Sequence, residues 1–237
     1  SRLVNLELAP PGCDPRRRNA ALVSVGDLLG PEASLDAAGL GGWSLLVAGQ
    51  PAKALDAFRE VTFERPDDLH AWEGMRTAAE AVGDKESTAV AAEQLGARCG
   101  DDARGAMFWE QAAGLWIALE NTMRGEAALD ASFERDPDRA SAFDKLFRMV
   151  RERKDGDKLL RLIETRLAHT DDPPEIGKLF WEQARVLREK GDSDGALKAL
   201  ENVTMLEPDH VGALALTGEI FIRRGMYQEA AASLSRL

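Results

Sequence analysis

The stretch "AKALDAFREVTFERPDD" at residues 52–68 returns twice, as "EAALDASFERDPDRA" at 126–140 and "GALKALENVTMLEPDH" at 195–210. Each is Ala-rich, carries apolar residues at helical spacing, and closes on an acidic or basic residue, a Pro and an Asp. The prolines, Pro66, Pro137 and Pro208, stand 71 residues apart. Half of that interval is close to the ~34 residues of a helix-turn-helix repeat. A further unit, lacking the closing proline, is therefore expected in each gap. "RCGDD" at 98–102 and "LAHTDDPP" at 167–174 supply Gly/Asp/Pro breaks near the halfway points.

Composition agrees with helices. The 237 residues are 44% hydrophobic and 30% charged, enough to bury a core. Ala, Leu, Glu and Arg dominate, Tyr occurs once, and no alternating runs of Val, Ile, Thr and aromatics are joined by Asn-Gly turns. An all-α protein is expected. No apolar run approaches ~18 residues, so direct membrane insertion is not expected. "SRLVNLELAPPGC" at 1–13 lacks the basic region and apolar core of a signal peptide. The expected location is cytoplasmic, or periplasmic where a signal peptide has been removed. The formal net charge of −11 speaks against nucleic acid and anionic membranes as partners. Cys13 and Cys99 form neither a CxxC pair nor a disulfide framework. High Ala, Arg, Asp and Gly with few Lys points to a GC-rich bacterial source.

Small and bulky residues recur in phase. One unit reads Phe180, Gln183, Ala184, Leu187, then Ala196, Leu200, Pro208; the last reads Leu214, Thr217, Gly218, Phe221, then Ala230, Leu234. Another reads Trp109, Ala112, Ala113, Trp116, then Gly125, Leu129, Pro137, and the first reads Ala38, Gly41, Gly42, Leu45, then Ala54, Phe58, Pro66. Two units are degenerate: 69–100 has Arg76 where a small residue is expected, and 140–172 has Phe147 and Leu159 at both usually small places. Packing there should be looser or shifted.

This pattern resembles the tetratricopeptide repeat family, W-x2-L-G-x2-Y, then A-x3-F, then P. The resemblance spans residues 35–237 in units at about 35–66, 69–100, 106–137, 140–172, 177–208 and 211–237. It implies a right-handed α-solenoid of stacked helix-turn-helix repeats. The small residues let paired helices approach and the closing proline stops the second helix. Residues 1–34 are less regular. "LELAPP" at 6–11 looks like the end of a preceding repeat and "RRRNAALVSVGDLLG" at 16–30 like an extra helix. The chain is expected to be part of a longer array.

Catalytic signatures are missing. His70, His169 and His210 fall near unit boundaries in no metal-ligand spacing, and no nucleophile elbow, phosphate loop or dinucleotide fingerprint occurs. The Asp-Asp pairs at 67–68, 101–102 and 171–172 read as helix caps. A non-enzymatic chain without metal or cofactor is expected.

Binding would sit on the concave face, lined by the first helix of each unit. Between 139 and 166 nine basic residues face five acidic ones. Arg148 and Arg151 are one turn apart, and Lys178, Arg185 and Arg188 fall on the equivalent face of the next unit with Trp181 among them. The strip suits a protein or peptide of acidic character, or is a solvated face. Trp43 and Trp181 sit one residue beyond a pattern position. They either pack on the next unit or stay exposed to a ligand. Some family members clamp a chaperone's terminal carboxylate with Lys and Asn. Arg148 and Arg185 hold the comparable places here, so that activity is not expected. The resemblance otherwise implies a protein-binding scaffold. The alternatives are a regulatory or substrate-recruiting arm of a larger enzyme and a self-assembling array. Oligomeric state is left open.

Overall fold

The structure, a computed structural model, describes residues 30–237. The expected irregular segment 1–34 therefore lies outside the described residues except for 30–34. Among the described residues there are twelve α-helices and no strand. The chain divides into two compact units, the first ending at Asp136 and the second comprising Pro137–Leu237.

In the first unit, α1 (Pro31–Val47), α2 (Pro51–Glu64), α3 (Leu69–Val82), α4 (Lys85–Arg98), α5 (Asp102–Ala118) and α6 (Thr122–Arg135) each pack on the next, and α1 also meets α3. The second unit holds α7 (Ala140–Glu152), α8 (Gly156–Leu167), α9 (Pro173–Glu189), α10 (Ser193–Leu206), α11 (Val211–Arg223) and α12 (Tyr227–Leu234), stacked in the same succession. Several first helices start earlier than the repeat pattern implies. Pro31 and Pro173 open α1 and α9 about two turns ahead of the first small or aromatic pattern residue, because proline at the first helical position has no amide to satisfy.

The small-residue positions are where helices touch. Ala54, Ala184, Ala196 and Ala230 are buried, and a β-carbon on Gly42 would stand 2.8 Å from the Phe58 ring. In the pair 69–100 the close approach is shifted, as expected. The small residue is Gly74, not position 76, while Arg76 lies to the side in ion pairs with Glu73 at 2.9 Å and Glu80 at 3.2 Å. The pair α7 and α8 packs less closely than its neighbours. Leu159 is buried at one usually small place, and Phe147 stays half-buried beside Phe143 at the other.

Trp109 departs from the expected core. Phe108 takes the buried place, and Trp109 is half-buried against Gly96 of the preceding helix, 2.8 Å from where its β-carbon would be. Both residues are bulky and apolar and adjoin in sequence, so spacing alone does not rank them. Trp72 and Trp116 are buried, their indole N–H groups donating to the Pro66 carbonyl and to Glu93, each at 2.7 Å.

The closing residues of the quoted stretches have a second use. An Arg at the end of a second helix reaches back to a carbonyl at the start of its own pair. Arg65 donates to Glu32 at 2.8 Å, Arg135 to Cys99 at 2.7 Å, Arg166 to Pro137 at 2.8 Å, and Arg236 to Pro208 at 2.6 Å. Three of these acceptors, Cys99, Pro137 and Pro208, lie in turns ahead of a first helix, and Glu32 lies in the first turn of α1. Of the Asp-Asp pairs, Asp68 and Asp101 cap α3 and α5 through backbone N–H groups. The expected cap at 171–172 is not made by a side chain. Asp172 stands at the N-cap of α9, but Pro173 and Pro174 follow it and offer no N–H.

Candidate functional site

The basic strip lies within the second unit, on α7, α9 and α11. Residues 178, 181, 185 and 188 of α9 recur every three to four positions, so they share one helix face. The ion pairs join this face to its neighbours. Arg151 of α7 pairs with Glu182 of α9, which Arg185 also meets at 3.2 Å. Arg188 of α9 pairs with Glu219 of α11 at 3.6 Å, and Arg223 takes the other Glu219 oxygen at 2.8 Å. Two carboxylates thus each stand between two guanidinium groups. Arg148 and Lys178 are exposed and make no ion pair.

The structure therefore gathers Arg151 and Arg185 about Glu182, and Arg188 with Arg223 about Glu219, as two separate clusters that do not include Arg148 and Lys178. The Glu175 carboxyl is held below its ordinary range by Arg166 and, least of the causes, by the Lys178 charge. The main cause there is the Arg166 guanidinium, which donates to both Glu175 oxygens, at 2.8 and 3.0 Å, with the Thr170 hydroxyl adding a third bond.

Trp181 is half-buried. Its ring lies 5.0 Å from that of His210, tilted by 45°, and a β-carbon on Gly212 would stand 3.0 Å from its far edge. It thus packs on the next helix pair with part of its surface left exposed. His210 caps α11, its Nδ1 accepting from Ala213 at 3.0 Å. Trp43 lies in the first unit, apart from the strip residues in the chain, with 36% of its surface exposed and its ring edge-on to Phe58 at 5.4 Å.

Glu182, Glu219 and Arg223 belong to these clusters but not to the set expected from sequence. Glu182 had a signal: it is four residues after Lys178 and three before Arg185, the spacing of helical ion pairs. Glu219 and Arg223 are likewise four apart. Among the described residues no group of three or more His, Cys, Asp or Glu is placed to hold a metal ion, and no helix is long and apolar enough to cross a membrane.

A succession of short helix pairs, with small residues at the close contacts and arginine ion pairs across first helices, defines an α-helical repeat protein. The tetratricopeptide repeat family model matches residues 182–237, from the middle of α9 onward, so this part of the chain is similar to tetratricopeptide repeats. A search of curated proteins found no match. Among solved structures, a tetratricopeptide repeat protein from Parabacteroides merdae is 15% identical with a TM-score of 0.43, covering 94% of this chain and 85% of its own. MamA from Desulfovibrio magneticus is 13% identical with a TM-score of 0.40, covering 85% and 92%. YrrB, described as a TPR protein with an unusual peptide-binding site, is 13% identical with a TM-score of 0.40, covering 83% and 95%.

Proposed function

We propose that this chain is a non-enzymatic protein-interaction scaffold, and that α7, α9 and α11 take up an acidic segment of a partner protein. One observation carries the reading: Glu182 and Glu219 each stand between two guanidinium groups, with Arg148 and Lys178 unpaired beside them. Each guanidinium has five N–H donors in a planar fork. A single shared carboxylate leaves most of them to face solvent or a ligand. An extended segment with carboxylates at intervals would add to these clusters rather than replace them. The exposed part of Trp181 would give an apolar residue of the segment a surface to lie on.

The test is fluorescence anisotropy with a short labelled peptide of repeated Glu-Leu-Ala units. The wild-type chain is compared with an Arg148→Glu/Arg185→Glu/Arg188→Glu variant, both checked for helix content. Binding that weakens at least tenfold in the variant and falls with salt supports the reading. Equal binding to both chains refutes it.

A further inference from the structure

The acidity of the chain is concentrated in the first unit. Residues 30–136 hold nine Lys and Arg against twenty Asp and Glu, whereas residues 137–237 hold seventeen against eighteen. An opening on this unit faces a different electrostatic field from the strip on α9.

There is such an opening. Leu40, Trp43 and Val47 form an exposed apolar stripe along α1 at positions three and four apart. Between this helix and the start of α3 lies a groove of about 480 Å³, floored by Phe58 and Val61 of α2. Gly39 opens it, because a β-carbon there would meet nothing within 4 Å.

The rim is acidic. Asp36 stands on the α1 side, and Asp68 with His70 on the α3 side. Asp68 uses only Oδ1 to cap α3. A turn beyond His70, one oxygen of Glu73 is buried without a hydrogen-bond partner. Arg76 pairs with the other oxygen of Glu73, while Arg65 is the cation that meets Asp36 and Asp68. Its guanidinium is held above its ordinary value first by the hydrogen bond to Asp36, then, against the opposing effect of desolvation, by the fields of Asp36, Glu32 and Asp68. The one Arg65 guanidinium does not neutralise Asp36, Glu32 and Asp68 together, and the partly exposed Trp43 indole favours a cation over its face.

We propose that this groove is a second docking site, for a basic segment of a protein partner in which an Arg or Lys adjoins an apolar residue. The apolar side chain fills the space over Gly39 against Trp43 and Phe58. The neighbouring cation reaches Asp36 and Asp68, its methylene stem lying along the indole. The scaffold then carries two sites of opposite charge preference, and this one does not depend on the strip of the second unit.

The test uses the full chain and a short labelled peptide of repeated Leu-Arg-Ala units at low and physiological salt. The proposal expects binding that weakens at least tenfold in Trp43→Ala and in Asp36→Asn/Asp68→Asn. The double variant should also lose most of the salt dependence, while Asn still caps α3. Leu40→Ser, at an exposed position, removes apolar contact without adding charge and gives a loss without touching the core. The Arg148→Glu/Arg185→Glu/Arg188→Glu variant binds this peptide as wild type does. Equal binding to wild type, Trp43→Ala and Leu40→Ser overturns the proposal. So does a loss confined to the strip variant. If the peptide binds only after Arg16, Arg17 and Arg18 are replaced by Ser, the occupant is the chain's own basic segment and the assignment to a partner fails.

Discussion

The Phe58 ring fills the place where a β-carbon on Gly74 would be, 2.3 Å from it. Phe58 belongs to α2 and is fully buried, and Gly42 of α1 receives the same ring from the other side. The two glycines make room for one aromatic that ties three successive helices. Gly74→Ala should destabilise the chain by about 1–3 kcal/mol, the range for overpacking a filled core. The helix preference of alanine recovers up to ~1 kcal/mol of that. Urea unfolding followed by circular dichroism reads the effect. A Gly74→Ala chain as stable as wild type would mean that the ring moves aside freely.

The turns between paired helices carry a residue with positive φ. It is glycine in four of them, Gly49, Gly83, Gly191 and Gly225, but Glu120 and Lys154 in the other two, both at φ 59°. Side chains with a β-carbon are strained there by roughly 1–2 kcal/mol, partly offset by the greater unfolded-state entropy of glycine. Glu120→Gly and Lys154→Gly should each raise the melting temperature by about 2 °C. Calorimetry of the single and double variants checks this. An unchanged or lower value would show that the side chains contribute contacts outweighing the strain.

These two turns show what the sequence reveals and what it hides. Where Gly marks the turn, as in "KGDSDG" and "RGMYQE", the end of the first helix is legible from residue type alone. At Glu120 and Lys154 the same backbone carries an ordinary residue, and only the phase of neighbouring units places the break. Buried positions follow the apolar period well at Phe58, Leu129 and Leu200. The period does not rank neighbours of equal hydrophobicity, so Phe108 rather than Trp109 takes the core. In the strip, basic residues are legible as a local excess of one sign. Their neutralisation by Glu182 and Glu219 was harder to read, because an acid on a charged helix face pairs within its own helix or across to the next. Arg151 to Glu182 crosses helices 31 residues apart, a distance no local pattern encodes.

Arg166 and Glu175 fasten the end of α8 to the start of α9. The Arg166 side chain is 8% exposed and makes two bonds to the carboxylate and one to the Pro137 carbonyl. The arginine lowers the Glu175 pKa in the folded chain. A carboxyl whose folded pKa is depressed stabilises the fold fully above its unfolded value, near ~4.3 for Glu, and loses that contribution as pH falls through the folded value. Glu175→Gln should therefore cost roughly 2 kcal/mol at pH 7, the scale of a hydrogen bond to a charged group. The gap between wild type and variant should narrow steadily below about pH 4. Unfolding midpoints across that range test the sign. A gap that stays constant with pH would mean that the carboxylate charge is not what holds Arg166.

Glu182 offers the sharpest separation of binding from stability. Its carboxylate stands between Arg151 and Arg185, both about a third exposed, so the pairs contribute little to the fold, on the order of 0–1 kcal/mol. Its negative charge nevertheless offsets that of the guanidinium groups an acidic ligand would meet. Glu182→Gln removes the charge and keeps the shape. If the strip binds acidic segments, the variant should hold the Glu-Leu-Ala peptide several-fold more tightly with an unfolding midpoint close to wild type. The gain should shrink at high salt, where the added net charge is screened. If affinity falls instead, Glu182 is needed to orient Arg151 and Arg185 for the ligand, and the cluster acts as a preformed fork. An affinity that does not move would place the acidic segment away from these arginines altogether.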